Sequence, residues 1–126
     1  MVIPNTVTLT IGFIDPELEP EDRDDAAQRL MQELREIDEV ESVGRVLDPN
    51  PPEGNKALGG FLVGRLAAEV SVENAKKVLG FLGDRLGGKS IQFSVEDNGR
   101  KLSVTANSCE ELEAAVKAAK DFSAAP

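Results

Sequence analysis

The chain has 126 residues, 23 acidic against 14 basic, with one cysteine and no histidine, tyrosine or tryptophan; it fits a single domain, 1–126, from which an internal disulfide and the ordinary His/Cys zinc sites are excluded. The whole net charge of −9 falls within residues 15–41, where twelve acids meet three bases, so the remainder is neutral and offers no basic stripe for nucleic acid. No N-terminal stretch has the layout of a signal peptide, and the longest apolar run, 57–68, is broken by Arg65 well short of the roughly 20 residues that span a bilayer; the expectation is a cytoplasmic protein without a membrane partner.

In VTLTIGFI, Val7, Leu9, Ile11 and Phe13 alternate with Thr6, Thr8, Thr10 and Gly12, the period-two pattern of a strand buried on one face. Asp15-Pro16 ends it. The acidic stretch that follows reads first as a solvated helix start, with Pro20 in the first turn and Glu21, Asp22 and Asp24 against the positive end of the dipole; the sharper reading is an acidic docking face. Ala27, Leu30, Met31, Leu34 and Ile37 then form one stripe of a helix ending near Asp38. A short strand is expected over 43–47, interrupted by Gly44 and Arg45. The next eight residues, DPNPPEGN, hold three prolines and a glycine and form a loop.

The densest apolar and glycine-rich stretch is 56–89. Ser71 divides it, capping a helix whose face is Val72, Ala75, Val78, Leu79, Leu82 and Leu86. Residues 57–70 are apolar nearly all round, and Gly60 and Gly64, four apart, predict a helix crossed closely by another backbone; a strand over 61–67 is the alternative. Gly80 and Gly83 weaken the following helix, and Gly87-Gly88 end it.

The last third is the most legible. Ile91, Phe93 and Val95 alternate with Gln92, Ser94 and Glu96; Asn98-Gly99 then turns the chain into Leu102, Val104 and Ala106, alternating with Lys101, Ser103 and Thr105. A two-residue turn sets Val95 opposite Leu102, Phe93 opposite Val104 and Ile91 opposite Ala106, with Glu96 across from Lys101. Ser108 and Glu111 match a capping box that opens a final helix with Leu112, Ala115, Val116, Ala119 and Phe122 on one stripe. Residues 1–5 and 123–126 are expected to be flexible tails. Strands with one polar face leave that face open, so the pattern predicts an α+β, two-layer sandwich. Its nearest common relative is ferredoxin-like, a mixed four-stranded sheet with helices on one face, in the order β-α-β-α-α-β-β-α.

Three motifs bear on chemistry. Residues 83–90, GDRLGGKS, satisfy the phosphate-loop pattern letter by letter, but a helix precedes and a strand follows, the reverse of what presents N–H groups to a phosphate. The plain reading is a helix terminus. Cys109 stands at a helix start where a dipole can acidify a thiol, yet no histidine is present to serve as its base. The carboxylate pairs, Asp24-Asp25 and Glu110-Glu111 among them, follow no calcium-loop grammar. No catalytic, cofactor-binding or metal-ligating residue is therefore assigned, and no cofactor is expected.

The opening VTLTIGF, the helix with Leu30 and Leu34, the proline loop, GNKALGGFL, LGFLGDRL and the hairpin IQFSVEDNGRKLSV together resemble the effector-associated constant component family. These are small bacterial proteins found beside multi-domain effectors. The resemblance covers residues 7–116 and is one of pattern and order; the chain departs from it in having no tryptophan before the hairpin. It implies a non-catalytic adaptor in a conflict or programmed-death system, partnered with an effector that is protease-like, TIR-like or linked to a regulatory NTPase. It also singles out Lys56, Gly59 and Gly60 after the proline loop. With the open face this gives Thr8, Thr10, Ser94, Ser103, Lys56, Gly59 and Gly60 as partner-binding candidates; a homodimer is a further arrangement, and a small-molecule-sensing domain built on 56–89 is the competing reading.

Overall fold

The computed structural model describes residues 6–47, 61–86, 89–97 and 100–124. In chain order they form β1 (Thr6–Phe13), α1 (Pro20–Arg35), β2 (Val40–Leu47), β3 (Phe61–Ser71), α2 (Val72–Leu86), β4 (Ile91–Asp97), β5 (Arg100–Ala106) and α3 (Cys109–Ala124). The strands make one sheet in the order β2-β3-β1-β4-β5, and each neighbouring pair is antiparallel. Since β1 and β2 both oppose β3, they run parallel to each other, with α1 as the crossover between them. The same holds for β3 and β4 about β1, with α2 as crossover.

The core lies between the sheet and the helices. Val7, Leu9 and Ile11 of β1, Leu66 and Val70 of β3, and Ile91, Phe93 and Val95 of β4 are all within 1 % of full burial. Leu30, Met31 and Leu34 of α1, Val78, Leu79, Leu82 and Leu86 of α2, and Leu112, Val116 and Ala119 of α3 close over them in one cluster. Truncating a central member such as Phe93 to alanine costs about 3–5 kcal/mol, transfer and cavity terms together.

Local chemistry explains most of the boundaries. Asp15 stops β1 by accepting the Glu17 N–H on Oδ1 (3.0 Å), a turn made by its own side chain. Pro20 occupies the first turn of α1, where its missing N–H is harmless; Glu19 before it offers no side-chain cap. Ser71 Oγ accepts the Asn74 N–H (3.3 Å) and Ser108 Oγ accepts the Glu111 N–H (3.2 Å), so both serines cap the helices expected of them. The β4–β5 register pairs Val95 with Leu102, Phe93 with Val104, Ile91 with Ala106 and Glu96 with Lys101, as the alternation predicts. The Asn98-Gly99 turn itself lies outside the described residues.

Residues 61–71 take the strand alternative raised for 61–67 rather than the helix. They form β3, so the sheet has five strands rather than four, the helices number three among the described residues, and the pairing is antiparallel rather than mixed. From Arg65 onward burial alternates strictly, with Leu66, Ala68 and Val70 inside. Ala67 opposite them blurs the contrast, which is why the stretch reads as apolar all round. Upstream the period is broken physically. Between the Arg45–Leu66 and Leu47–Phe61 pairs β2 advances two residues while β3 advances five, so 62–65 bulge. Gly64 sits in that bulge at φ +69°, where a Cβ would stand 3.1 Å from Arg23 Cβ and 3.2 Å from the Phe13 carbonyl oxygen. The close approach expected at Gly64 is therefore present, between strand and helix α1 rather than between two helices; Gly60 lies outside the described residues. Two further boundaries shift: β2 begins at Val40, earlier than the expected 43–47, and α3 runs through Ala124, making helix of residues 123–124.

Candidate functional site

The side of the sheet away from the helices carries rows of small and polar side chains. From one edge to the other Gly44, Ala67, Thr10, Ser94 and Ser103 stand in register. Beside that row lie Ser42, Glu69, Thr8, Glu96 and Lys101, and on its other side Arg65, Gly12, Gln92 and Thr105. Ser103, Thr105, Glu69, Glu96 and Lys101 are exposed, while Thr8, Thr10 and Ser94 are half-buried by their sheet neighbours. Every helix packs on the opposite face. Arg65 lies across Gly12, its Cγ 3.3 Å from where a Cβ would stand, so glycine lets the stem of that arginine lie flat on the sheet. The face is thus rich in hydroxyls, with charges of both signs beside them. Thr8, Thr10, Ser94 and Ser103 come together on it as the alternation predicts; Lys56, Gly59 and Gly60 lie outside the described residues.

A second feature escaped the sequence reading. Asp24, expected to sit solvated in the first turn of α1, is only 4 % exposed. Its Oδ1 accepts from Arg45 Nη2, in an ion pair, and from the Gly64 N–H at 3.2 Å, while Oδ2 accepts from Gln28 Nε2 at 3.1 Å. One carboxylate therefore ties α1, β2 and the β3 bulge together. The signal was present. Asp24 stands three residues before Ala27 on the apolar stripe of α1, Arg45 interrupts the core-facing pattern of β2, and two opposite charges breaking two apolar faces point to a buried pair. Beside it Arg23 Nε is buried without a hydrogen-bond partner among the described residues.

The third feature is a cleft of about 270 Å³ between α1 and the C-terminal end of α2, lined by Phe13, Ala26, Leu30 and Leu86 together with Arg29, Glu33, Arg85 and Lys89. Arg85 Nε and Nη2 grip the two Glu33 oxygens in a bidentate pair. That hydrogen bonding holds the Glu33 carboxyl below its ordinary range and raises the Arg85 guanidinium. Residues 83–90 run from the end of α2 toward β4, so the phosphate-loop lettering has the reversed context expected of it; Gly87 and Gly88 lie outside the described residues. Of the side chain of Cys109 nothing is described. Among the described residues no group of three or more His, Cys, Asp or Glu side chains gathers to hold a metal, and no helix is long and apolar enough to cross a membrane.

Compared with protein-family models, with curated proteins and with solved structures, the chain finds no match in any of the three.

Proposed function

We propose that this chain is a non-catalytic adaptor or regulatory component, of the kind the effector-associated constant component resemblance implies, which docks a cytoplasmic partner effector on the open face of its sheet. The observation that carries the reading is the row Gly44, Ala67, Thr10, Ser94 and Ser103, which crosses all five strands while every helix packs on the other side. A surface of short hydroxyl-bearing side chains adapts its hydrogen bonding to a partner and loses little side-chain entropy in doing so. The first six elements also follow a ferredoxin-like plan, β4-β1-β3-β2 with two split crossovers, to which β5 and α3 are added.

The test is affinity capture from the native host, comparing the wild-type chain with Thr10→Arg and Ser94→Arg variants checked for folding by circular dichroism. The expected result is capture of an effector encoded beside this chain by the wild type and its loss from both variants. Failure of the wild type to capture such an effector, or equal capture by the variants, overturns the proposal. A small-molecule-sensing role is favoured by a separate observation, the cleft that Arg85, Leu86 and Lys89 share with α1.

A further inference from the structure

The cleft between α1 and α2 is unusual for so acidic a molecule. Three of its eight lining residues are cationic, Arg29, Arg85 and Lys89, against one carboxylate, Glu33, leaving two positive charges in a chain of net charge −9. Arg85 is held by Glu33, but Arg29 and Lys89 have no ion-pair partner among the described residues. Lys89 is held in place by its backbone: its N–H donates to the Leu86 carbonyl (3.1 Å), and next to it the Ser90 carbonyl accepts the Ile14 N–H (3.1 Å). Phe13, Ala26, Leu30 and Leu86 supply the apolar part of the lining.

We infer that this cleft binds a small amphiphilic anion, an acidic head group on a short unbranched apolar chain, with Arg29 and Lys89 taking the head and Phe13, Leu30 and Leu86 receiving the chain. The volume of about 270 Å³, just below the usual range of ligand pockets, suits so small a ligand. The C-terminus of α2 opposes an anion with about half a negative charge, which the two net positive charges of the lining outweigh. The two cations of the phosphate-loop lettering, Arg85 and Lys89, thus meet in space without forming the loop that the lettering normally denotes. Glu33 acts as an internal competitor: it occupies Arg85 and repels an incoming head group. This site is on the helix side of the molecule and is independent of the partner face.

The head can be a carboxylate or a phosphate monoester, and the experiment separates them. Hexanoate and hexyl phosphate, with hexanol and hexylammonium as controls, are titrated to about 10 mM, the range in which ligands of this size bind, against the labelled full chain, and the amide shifts of Arg29, Leu30, Leu86 and Lys89 are followed by NMR. The proposal expects saturable shifts with one or both anions and none with the controls. Arg29→Gln and Lys89→Gln each weaken the anion about tenfold, the worth of one charge-assisted hydrogen bond. Glu33→Gln, which frees Arg85 and removes the repulsion, tightens it; a merely structural role for Glu33 gives no gain. Binding of hexanol as tight as that of the anions, absence of shifts with both anions, or unchanged affinity in Arg29→Gln and Lys89→Gln each overturns it.

Discussion

Replacing Asp24 with alanine is the perturbation that probes the fold most sharply. Its carboxylate, with 5 % of its side chain exposed, serves Arg45, Gln28 and the Gly64 N–H at once, and the Arg45 side chain is 21 % exposed. Breaking a buried pair by deleting one member costs about 3–5 kcal/mol, because the surviving charge stays desolvated. Arg45 keeps a fifth of its surface in water, which places Asp24→Ala near 3 kcal/mol at the lower end of that range. Asp24→Asn, which leaves an acceptor for the Gly64 N–H but removes the charge, loses roughly half as much. In urea, with a slope of about 2 kcal/mol/M, the alanine variant moves the unfolding midpoint down by about 1.5 M. The paired change Asp24→Leu with Arg45→Met removes both charges and is expected to be more stable than Asp24→Ala alone, since two apolar side chains leave no orphan. A midpoint shift below about 0.3 M for Asp24→Ala, or a double variant weaker than the single one, refutes the idea that this carboxylate anchors α1 to the bulge.

Gly64→Ala is expected to cost about 2 kcal/mol by thermal or urea unfolding, since it forces a side chain into the left-handed region and toward the Phe13 carbonyl. Gly80→Ala acts in the opposite sense: nothing stands within 4 Å of the added Cβ, so α2 gains about 0.5–1 kcal/mol in helix propensity, read as a higher melting temperature. Glu33→Gln destabilises the chain at neutral pH. Because Arg85 depresses the folded-state carboxyl, the contribution of Glu33 is present above the unfolded carboxyl pKa of about 4.3 and disappears as pH falls through the lower folded value. Stability curves of wild type and variant should therefore converge in acid, and converge also in high salt, because this pair is exposed.

Much of this architecture is legible in the residues because each surface element carries its own alternation. The Thr-rich strand, the hairpin register and both serine caps follow from local pattern, and the open face follows from them by geometry alone. Residues 61–71 were obscured for a physical reason. A bulge at 62–65 breaks the period-two phase, and alanines at 67 and 68 give the two faces of a strand the same hydropathy, leaving helix and strand equally consistent. The Asp24–Arg45 pair was hidden differently, since acids cluster so densely before and around it that one buried carboxylate looks like its solvated neighbours. The cleft is harder still, because Arg29, Arg85 and Lys89 are brought together only by the way α1 and α2 lie over the end of β1.

Among the described residues, the first strand in chain order is the one in the middle of the sheet. Both neighbours of β1, strands β3 and β4, come from beyond residue 60, and the second of them is complete only at Asp97. Val7, Leu9 and Ile11 therefore find their sheet neighbours only through pairings far apart in sequence, such as Leu9 with Ala68 and with Val95. Closing the sheet about β1 thus carries the loop-closure entropy of long-range pairing, the kind of contact that slows folding.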